Sequence, residues 1–169
     1  LNQLLDDDSR FFGARLLNWI PVLLVDGAPS AASQRSETHY LRYLDIYGTG
    51  LKTRVVTVSD LETISLADYR VIFLCNLDEI SSDRVKVLEQ WTRDGGAVVF
   101  MPGNQVRAEA FNATFYREGQ GMCPLQLEAI AGDPTMSSWV NFEVDPQVHP
   151  ALRTVVESDA ASLGKVDVF

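Results

Sequence analysis

The sequence predicts an α/β fold built on a doubly wound, mostly parallel sheet. Three short apolar runs, residues 22–25, 71–75 and 97–100, have the unbroken hydrophobicity of strands that are buried on both faces. A β-branched run at residues 52–60 predicts one more strand, and amphipathic segments between the runs predict helices. The resulting β-α-β-β-α-β order is typical of a parallel sheet covered by helices.

The first predicted strand ends in Asp26 and Gly27, and a helix is predicted over residues 33–48. The apolar positions of this helix recur at helical spacing, and they are Tyr40, Leu41, Leu44 and Tyr47. Gly48 is a good helix stop because glycine readily adopts the left-handed conformation found there. The β-branched residues 52–60 then form the second strand.

The third predicted strand lies within residues 66–77 and the fourth within residues 97–103. Between them, residues 81–96 have the pattern of an amphipathic helix. Ser81 or Ser82 is a plausible N-cap, and Gly95 lies at the C-terminal stop. One face of this helix is apolar and consists of Val85, Leu88 and Trp91.

Right-handed crossovers, with one helix on each side of the sheet, predict the strand order 2-1-3-4. Outside this core the pattern weakens. We interpret residues 10–19 as a strand and residues 139–145 as another. The remaining predictions are short helices at residues 108–116 and 123–132, and a loop leading to a helical turn at residues 149–157.

Composition excludes several classes of function. The net charge of the 169 residues is −9, and the Lys and Arg residues form no stripe, so nucleic acid is not an expected partner. The longest apolar runs are far shorter than a membrane span, so we expect no direct membrane contact by this segment. The two cysteines, Cys75 and Cys123, form neither a CxxC motif nor a disulfide framework.

The chain begins at Leu1 rather than Met and ends on "GKVDVF", which has the pattern of an unfinished strand. We therefore interpret it as an excised fragment. The absence of a targeting segment then says nothing about the parent protein, and the residues themselves do not indicate a cellular compartment.

In an open α/β sheet, ligands bind beyond the carboxyl ends of the strands. The residues placed there are the candidates for a ligand site or pocket. They are Asp26, Gly27, Ser30, Glu37, Cys75, Asn76, Asp78, Gly103 and Asn104.

Nucleophilic catalysis needs Ser, Cys or Thr on a tight strand-to-helix elbow with a His base nearby. The natural elbow, residues 98–105, holds none of the three nucleophiles, and we expect Cys75 to be buried and inert. We therefore predict no catalytic residue. A hydrolase or lyase with an atypical site stays open as an alternative, and its candidate residues would be Asp26, Glu37, Cys75 and His149.

Asp26 and Asp78 could together hold Mg²⁺ as in a response-regulator receiver, and "DGAPS" is similar to the Asp-x-Ser-x-Ser metal loop of von Willebrand A domains. Ala28 replaces the first Ser of that loop, which removes one oxygen ligand. We expect Asp26 instead to accept hydrogen bonds from the loop amides of residues 28–30, with Ser33 or Ser36 capping the helix. No metal and no cofactor is therefore predicted, and a degenerate metal-binding module is the second alternative.

Three segments, "IPVLLVDGAPS…SETHYLRYL", "LADYRVIFLCNLDEIS" and "VLEQWTRDGGAVVFMPGNQV…FN", carry a resemblance to a known group. They resemble the class I glutamine amidotransferase-like domain of large bacterial membrane proteins with BatA and von Willebrand A-like regions, typical of planctomycetes. The resemblance covers residues 10–155, and "VDPQVHPAL" resembles a segment that follows the core in that group.

The resemblance implies a flavodoxin-like, class I glutamine amidotransferase-like fold over residues 21–155. Residues 1–20 would be the tail of a preceding Ig-like region, and residues 156–169 the start of a following segment. The parent protein would be membrane-tethered, with an extracytoplasmic position as one option. The partners would be other domains of the parent chain or separate proteins.

True amidotransferases place a catalytic Cys in a Gly-x-Cys-x-Gly elbow. The matching positions, residues 100–104, read Phe-Met-Pro-Gly-Asn, so the nucleophile is absent. The resemblance therefore implies a non-catalytic domain for interaction or ligand sensing.

Overall fold

A computed structural model of the chain describes residue 13, residues 18–46 and 48–128, and residues 140, 141, 150, 153, 167 and 168. The chain divides into two compact units, residues 1–126 and residues 127–169. The first unit contains the sheet and the predicted site. The predicted domain boundaries near residues 20 and 155 stay predictions.

The first unit is built on a four-stranded sheet in which every strand pair is parallel. Its strands are β1 (Ile20–Asp26), β2 (Leu51–Thr57), β3 (Val71–Cys75) and β4 (Ala97–Met101). Their order in the sheet is β2-β1-β3-β4. This architecture confirms the predicted α/β class and the predicted strand order.

The core of the sheet lies at its two middle strands. In β1, residues Val22, Leu23, Leu24 and Val25 are no more than 1% exposed. Burial on both faces follows from the central position of β1, and each such side chain stabilises the fold by about 1.5–3 kcal/mol. The unbroken apolar run seen in the sequence is therefore explained by this position.

The helix predicted between the third and fourth strands is confirmed as α2 (Ser82–Arg93). Ser81 is its N-cap, and the Ser81 hydroxyl accepts a hydrogen bond from the Arg84 amide at 3.1 Å. Leu88 is fully buried on the apolar face of the helix. Gly95 follows the C-terminus with φ 102°, a conformation that favours glycine.

A short helix, α1 (Val58–Leu61), begins where β2 ends. The sequence prediction treated residues 52–60 as strand throughout, which is wrong for the last three. Thr57 and Asp60 form a capping box, in which the Thr57 amide donates to the Asp60 carboxylate at 3.0 Å and the Asp60 amide to the Thr57 hydroxyl at 3.2 Å. This box ends the strand although one more β-branched residue, Val58, follows Thr57.

The predicted α-helix over residues 33–48 is wrong. The connection from β1 to β2 consists of turns and two short 3-10 helices, Ser33–Arg35 and Leu41–Asp45, and the second of these buries no residue. The helical spacing of the apolar residues is overridden because Ser36 and Thr38 turn inward to a carboxylate on β1.

After β4 the chain forms α3 (Ala108–Phe111), which continues into a π-helical turn at Asn112–Tyr116. Helix was predicted there and is confirmed in kind. Three aromatic rings hold this segment against β4, with centroids 5.0–5.4 Å apart, and they belong to Phe100, Phe111 and Phe115. The helix predicted at residues 123–132 is absent from its described part, residues 123–128.

In the second unit, β5 (Val140–Asn141) pairs antiparallel with β6 (Asp167–Val168). The strand predicted at residues 139–145 is confirmed at the two described positions. Most residues of the predictions for 10–19 and 149–157 lie outside the described residues. Within the described part of the chain, no helix has the length and hydrophobicity needed to cross a bilayer.

Candidate functional site

The carboxyl edge of the sheet brings together the loops that follow β1, β3 and β4. Asp26 is aligned with Cys75 in the ladder, and Cys75 with Met101. The ladder continues past the strand ends, because the Gly27 amide donates to the Cys75 carbonyl and the Asn76 amide to the Met101 carbonyl, both at 2.8 Å. The chain runs from β1 to β2 on one side of the sheet and from β3 to β4 on the other side. The gap between β1 and β3 is therefore the switch point where such folds bind ligands.

Asp26 is the buried carboxylate of this edge, only 2% exposed. One of its oxygens accepts the Ala28 amide at 3.1 Å, as predicted. The other accepts the hydroxyl of Ser36 and that of Thr38, the latter at 3.2 Å. Ser36 therefore binds Asp26, and its predicted role as a helix cap is wrong because no α-helix follows it.

The donors around Asp26 explain how a charged group is accommodated in the interior. A buried carboxylate is costly unless hydrogen bonds satisfy its oxygens, and here two hydroxyls and one amide do so. The Arg42 guanidinium donates to the Thr38 hydroxyl at 3.4 Å, so Thr38 lies between this cation and the carboxylate. Asp26 thus anchors the β1–β2 connection to the sheet.

Asn76 is the second buried polar residue of the edge and joins all three loops. Its side-chain nitrogen donates to Glu37 and to the Asn104 side-chain oxygen, both at 2.9 Å. Its side-chain oxygen accepts the Gln105 amide at 2.9 Å. Asn76 is 1% exposed and has φ 51°, a left-handed conformation that Asn tolerates better than most residues.

Two glycines make room for Asn76. A Cβ atom on Gly27 would overlap the Asn76 carbonyl, and one on Gly103 would lie 2.5 Å from the Asn76 side-chain carbon. Gly27 therefore permits a close backbone approach, and the Asn76 backbone of the same chain occupies that space. Both glycines serve the packing of the three loops.

Cys75 lies directly below this network and is 2% exposed, which confirms the prediction of a buried thiol. Burial, together with the negative charges of Asp26 and Glu37, raises the pKa of the Cys75 thiol to about 12. Because the thiolate is the reactive form of cysteine, Cys75 is protonated and a poor nucleophile at neutral pH.

Among the described residues, Asp78 shares no hydrogen-bond partner with Asp26. The Arg107 guanidinium binds Asp78 at 3.2 Å and Glu79 at 2.8 Å, and these two carboxylates raise the pKa of Arg107. Among the described residues, no group of three or more His, Cys, Asp and Glu side chains is arranged to hold a metal ion.

Ser30, another predicted residue, lies apart from the network. Ser30 is exposed, and its hydroxyl accepts the Ala32 amide at 3.3 Å. His149 lies outside the described residues. The other histidine, His39, packs edge-on against the rings of Tyr40 and Tyr43, with centroids 5.0 and 5.5 Å away.

The sequence interpretation missed Ser36 and Thr38 as partners of Asp26, and Gln105 and Arg107 as partners of the β3 loop. Ser36 and Thr38 fell inside an apparently helical pattern. The available indication that Ser36 and Thr38 act together was their spacing of two residues. This spacing puts both side chains on one side of an extended or turning segment.

A separate groove of about 490 Å³ lies beside the π-helical turn. Its lining residues are Asn112, Ala113, Tyr116, Arg117, Glu118 and Gln126. Arg117 and Glu118 have φ angles of 45° and 55°, an unusual pair of left-handed residues without glycine. The volume is within the range of small-molecule sites, but none of the predicted site residues lines it.

No known protein family matches this chain, and no curated protein or solved structure is detectably similar to it. Function must therefore be argued from the geometry of the carboxyl edge and the exposed surface.

Proposed function

We propose that this chain forms a non-catalytic, amidotransferase-like domain that serves interaction or ligand sensing within a larger, membrane-associated bacterial protein. The observation that carries the proposal is the closed polar network at the carboxyl edge. Where an enzyme of this architecture would present reactive groups, Asp26 and Asn76 are buried and bound to neighbouring loops. The sequence resemblance provides the larger, membrane-associated setting.

The chemistry of acyl transfer argues in the same direction. Such a reaction needs a nucleophile that can ionise beside a base. Burial raises the pKa of Cys75 to about 12. β4 ends at Met101 and the segment after it begins with Pro102, Gly103 and Asn104, and none of these four residues is a nucleophile of that kind. The Asn104 side chain is bound to Asn76.

The exposed surface of the β1–β2 connection supports an interaction role. Tyr40 is 83% exposed and Ile46 is 68% exposed, and Tyr43 next to them is also exposed. Aromatic side chains are enriched at protein interfaces because they bury a large area at a low cost in conformational entropy. The partners we propose are other domains of the parent chain or separate proteins.

A hydrolysis assay tests the non-catalytic part of the proposal. The purified chain is incubated with glutamine and, separately, with a nitrophenyl ester, beside the Cys75→Ala variant and a Cys123→Ala control. We expect no turnover above the buffer rate in any sample. Turnover that Cys75→Ala abolishes and Cys123→Ala preserves would overturn the proposal in favour of the alternative hydrolase.

Thiol labelling tests the chemical basis. Iodoacetamide at about pH 8 reacts with thiolates, so a thiol of raised pKa should label very slowly. We expect Cys75 to be modified only after unfolding in urea, as measured by peptide mass spectrometry. Rapid modification in the folded protein would show that Cys75 is accessible and ionised.

Calorimetric titration with Mg²⁺, Ca²⁺ and Mn²⁺ tests the metal-binding alternative. We expect no heat of binding up to about 1 mM metal, because the Asp26 oxygens are already occupied by protein donors. A site that saturates well below that concentration, and is lost in Asp26→Asn, would favour a receiver-like or von Willebrand A-like module.

A further inference from the structure

We propose that the turn Arg117–Gly119 is a two-state wall of the groove beside the π-helical turn, and that an ion pair between Arg117 and Glu89 of α2 selects its state. In the latched state, which is the one observed, the ion pair is closed and the turn is left-handed. In the released state, the ion pair is open and Arg117 and Glu118 adopt right-handed backbone. This device goes beyond the proposed interaction role and does not depend on it.

The backbone of the turn is strained. Arg117 has φ 45° and ψ 54°, and Glu118 has φ 55° and ψ 36°. Gly119, which adopts left-handed backbone freely, follows with φ 83°. A residue with a side chain is disfavoured there by about tenfold relative to right-handed backbone. Two such residues in succession disfavour the turn by about 100-fold, so tertiary contacts must hold it.

The ion pair to α2 is such a contact. The Arg117 guanidinium binds the carboxylate of Glu89, whose side chain is only 10% exposed. The same guanidinium donates to the Gln120 carbonyl at 3.4 Å, which ties the end of the turn to the ion pair. A largely buried carboxylate holds its partner strongly, because a buried charge without a partner is costly. The ion pair therefore opposes the backbone strain.

A second cation allows the ion pair to open. Arg93, four residues after Glu89 on α2, lies 3.6 Å from the other oxygen of the Glu89 carboxylate. When Arg117 leaves, Arg93 remains as a partner, so release does not leave the carboxylate unpaired. Strain favours release and the ion pair favours the latched state, and these opposing effects bring the two states close in free energy.

The position of the turn gives the switch a consequence. The turn directly follows the π-helical segment Asn112–Tyr116, and π-helical turns are rare and frequent at functional sites. Tyr116, Arg117 and Glu118 are three of the residues that line the groove. Release therefore reshapes the groove, and a molecule that fits one shape better shifts the turn toward that state.

Hydrogen exchange at single amides tests the latch. The Gly121 amide donates to the Tyr116 carbonyl at 2.9 Å across the turn, and release breaks this hydrogen bond. Arg117→Gln removes the ion pair at a side chain that is 40% exposed. We expect the Gly121 amide to exchange at least about tenfold faster in this variant, while the amides of α2 and β3 are unchanged. Glu89→Gln should have the same local effect.

Two glycine variants test the strain with one chemical change. Glu118→Gly removes the penalty for left-handed backbone and should slow exchange at Gly121 by about tenfold. Glu109→Gly makes the same change in the right-handed helix α3, where glycine should instead speed exchange within that helix. Adding Glu118→Gly to Arg117→Gln should restore slow exchange at Gly121. Circular dichroism confirms that each variant is folded.

Three results would overturn the two-state wall. Unchanged exchange at Gly121 in the folded Arg117→Gln variant would show that the ion pair does not select the state. Faster exchange at Gly121 in Glu118→Gly would show that Glu118 is not strained. An equal increase at Gly121 and throughout α2 in Arg117→Gln would show that the turn does not open on its own.

Discussion

The two connections that flank the middle of the sheet are organised by different forces. Between β3 and β4, α2 is a regular helix of 12 residues whose apolar face includes the fully buried Leu88. Between β1 and β2, the 3-10 segment Leu41–Asp45 buries no residue, while Ser36 and Thr38 are buried against Asp26. An apolar stripe holds the β3–β4 connection against the sheet, and hydrogen bonds to the Asp26 carboxylate hold the β1–β2 connection.

This difference matters for the candidate site. The β1–β2 connection supplies Glu37 to the Asn76 network, so its conformation and the order of the carboxyl edge depend on each other. The α2 connection contributes packing to the sheet. Substitutions can therefore separate stability due to apolar burial from order at the carboxyl edge.

The largest expected effect comes from the apolar side of this comparison. Leu88→Ala should lower the free energy of unfolding by about 3 kcal/mol, because it removes a fully buried side chain and leaves a cavity. Leu44→Ala, in the partly exposed 3-10 segment, should cost no more than about 1 kcal/mol. Urea denaturation measures both, and equal losses would contradict the proposed difference between the connections.

The polar side of the comparison is tested at Asp26. Asp26→Ala should cost about 2–3 kcal/mol, because it strands the buried hydroxyls of Ser36 and Thr38. Asp26→Asn keeps most acceptor contacts and should cost about 1 kcal/mol. Hydrogen exchange should become faster in residues 33–45 in Asp26→Ala and stay unchanged in α2. A uniform increase over both connections would show that Asp26 does not act locally.

Asn76 tests how tightly the three loops depend on one another. Asn76→Ala should cost about 2 kcal/mol, since it removes the side-chain bonds to Glu37, Asn104 and the Gln105 amide and keeps an unfavourable left-handed backbone. Asn104→Ala, at an exposed position, should cost less than about 1 kcal/mol. Thermal unfolding compares the two, and similar losses would mean that Asn76 is not the residue on which the network depends.

The smallest expected effect concerns the start of α2. The Ser81 hydroxyl and, next, the Ser81 amide donate to Glu62 and hold the pKa of this carboxyl below its usual value of 4.5. A lowered pKa means that the contribution is present at neutral pH and is lost as the pH falls through the folded-state value. Glu62→Gln should therefore reduce the loss of stability in acid by a small amount.

The control for this effect is Ser81→Ala, which also removes the N-cap of α2. It should lower stability by about 1 kcal/mol at neutral pH and remove the same pH dependence. Urea denaturation at neutral and acid pH measures both variants. If both variants retain the full loss of stability at acid pH, that loss is due to other carboxylates.

Much of the fold could be predicted from the sequence because its strands are short apolar runs. Residues 22–25, 71–75 and 97–100 are found in β1, β3 and β4, and the amphipathic pattern of residues 81–96 is found in α2. These patterns depend on neighbours within a few positions. The end of β2 was mispredicted because the capping box at Thr57 ends the strand although one more β-branched residue, Val58, follows it.

The candidate site was predictable in location and less so in its contacts. Strand ends place Asp26, Cys75 and Asn104 at one edge of any parallel sheet with this order, and the structure brings them there. Ser30 and Asp78, also placed at strand ends, have other partners. The loops direct their side chains, and loop conformation has no periodic pattern in the sequence.

By itself, the sequence determined which segments are buried strands, where the amphipathic helix lies and which edge of the sheet is polar. These features follow from side-chain hydrophobicity at short range. The tertiary structure alone decided that Ser36 faces Asp26, ten residues earlier, and that Asn76 adopts a left-handed backbone where three loops meet. The physical reason is that a buried carboxylate or amide requires partners, and those partners come from residues far apart in the chain.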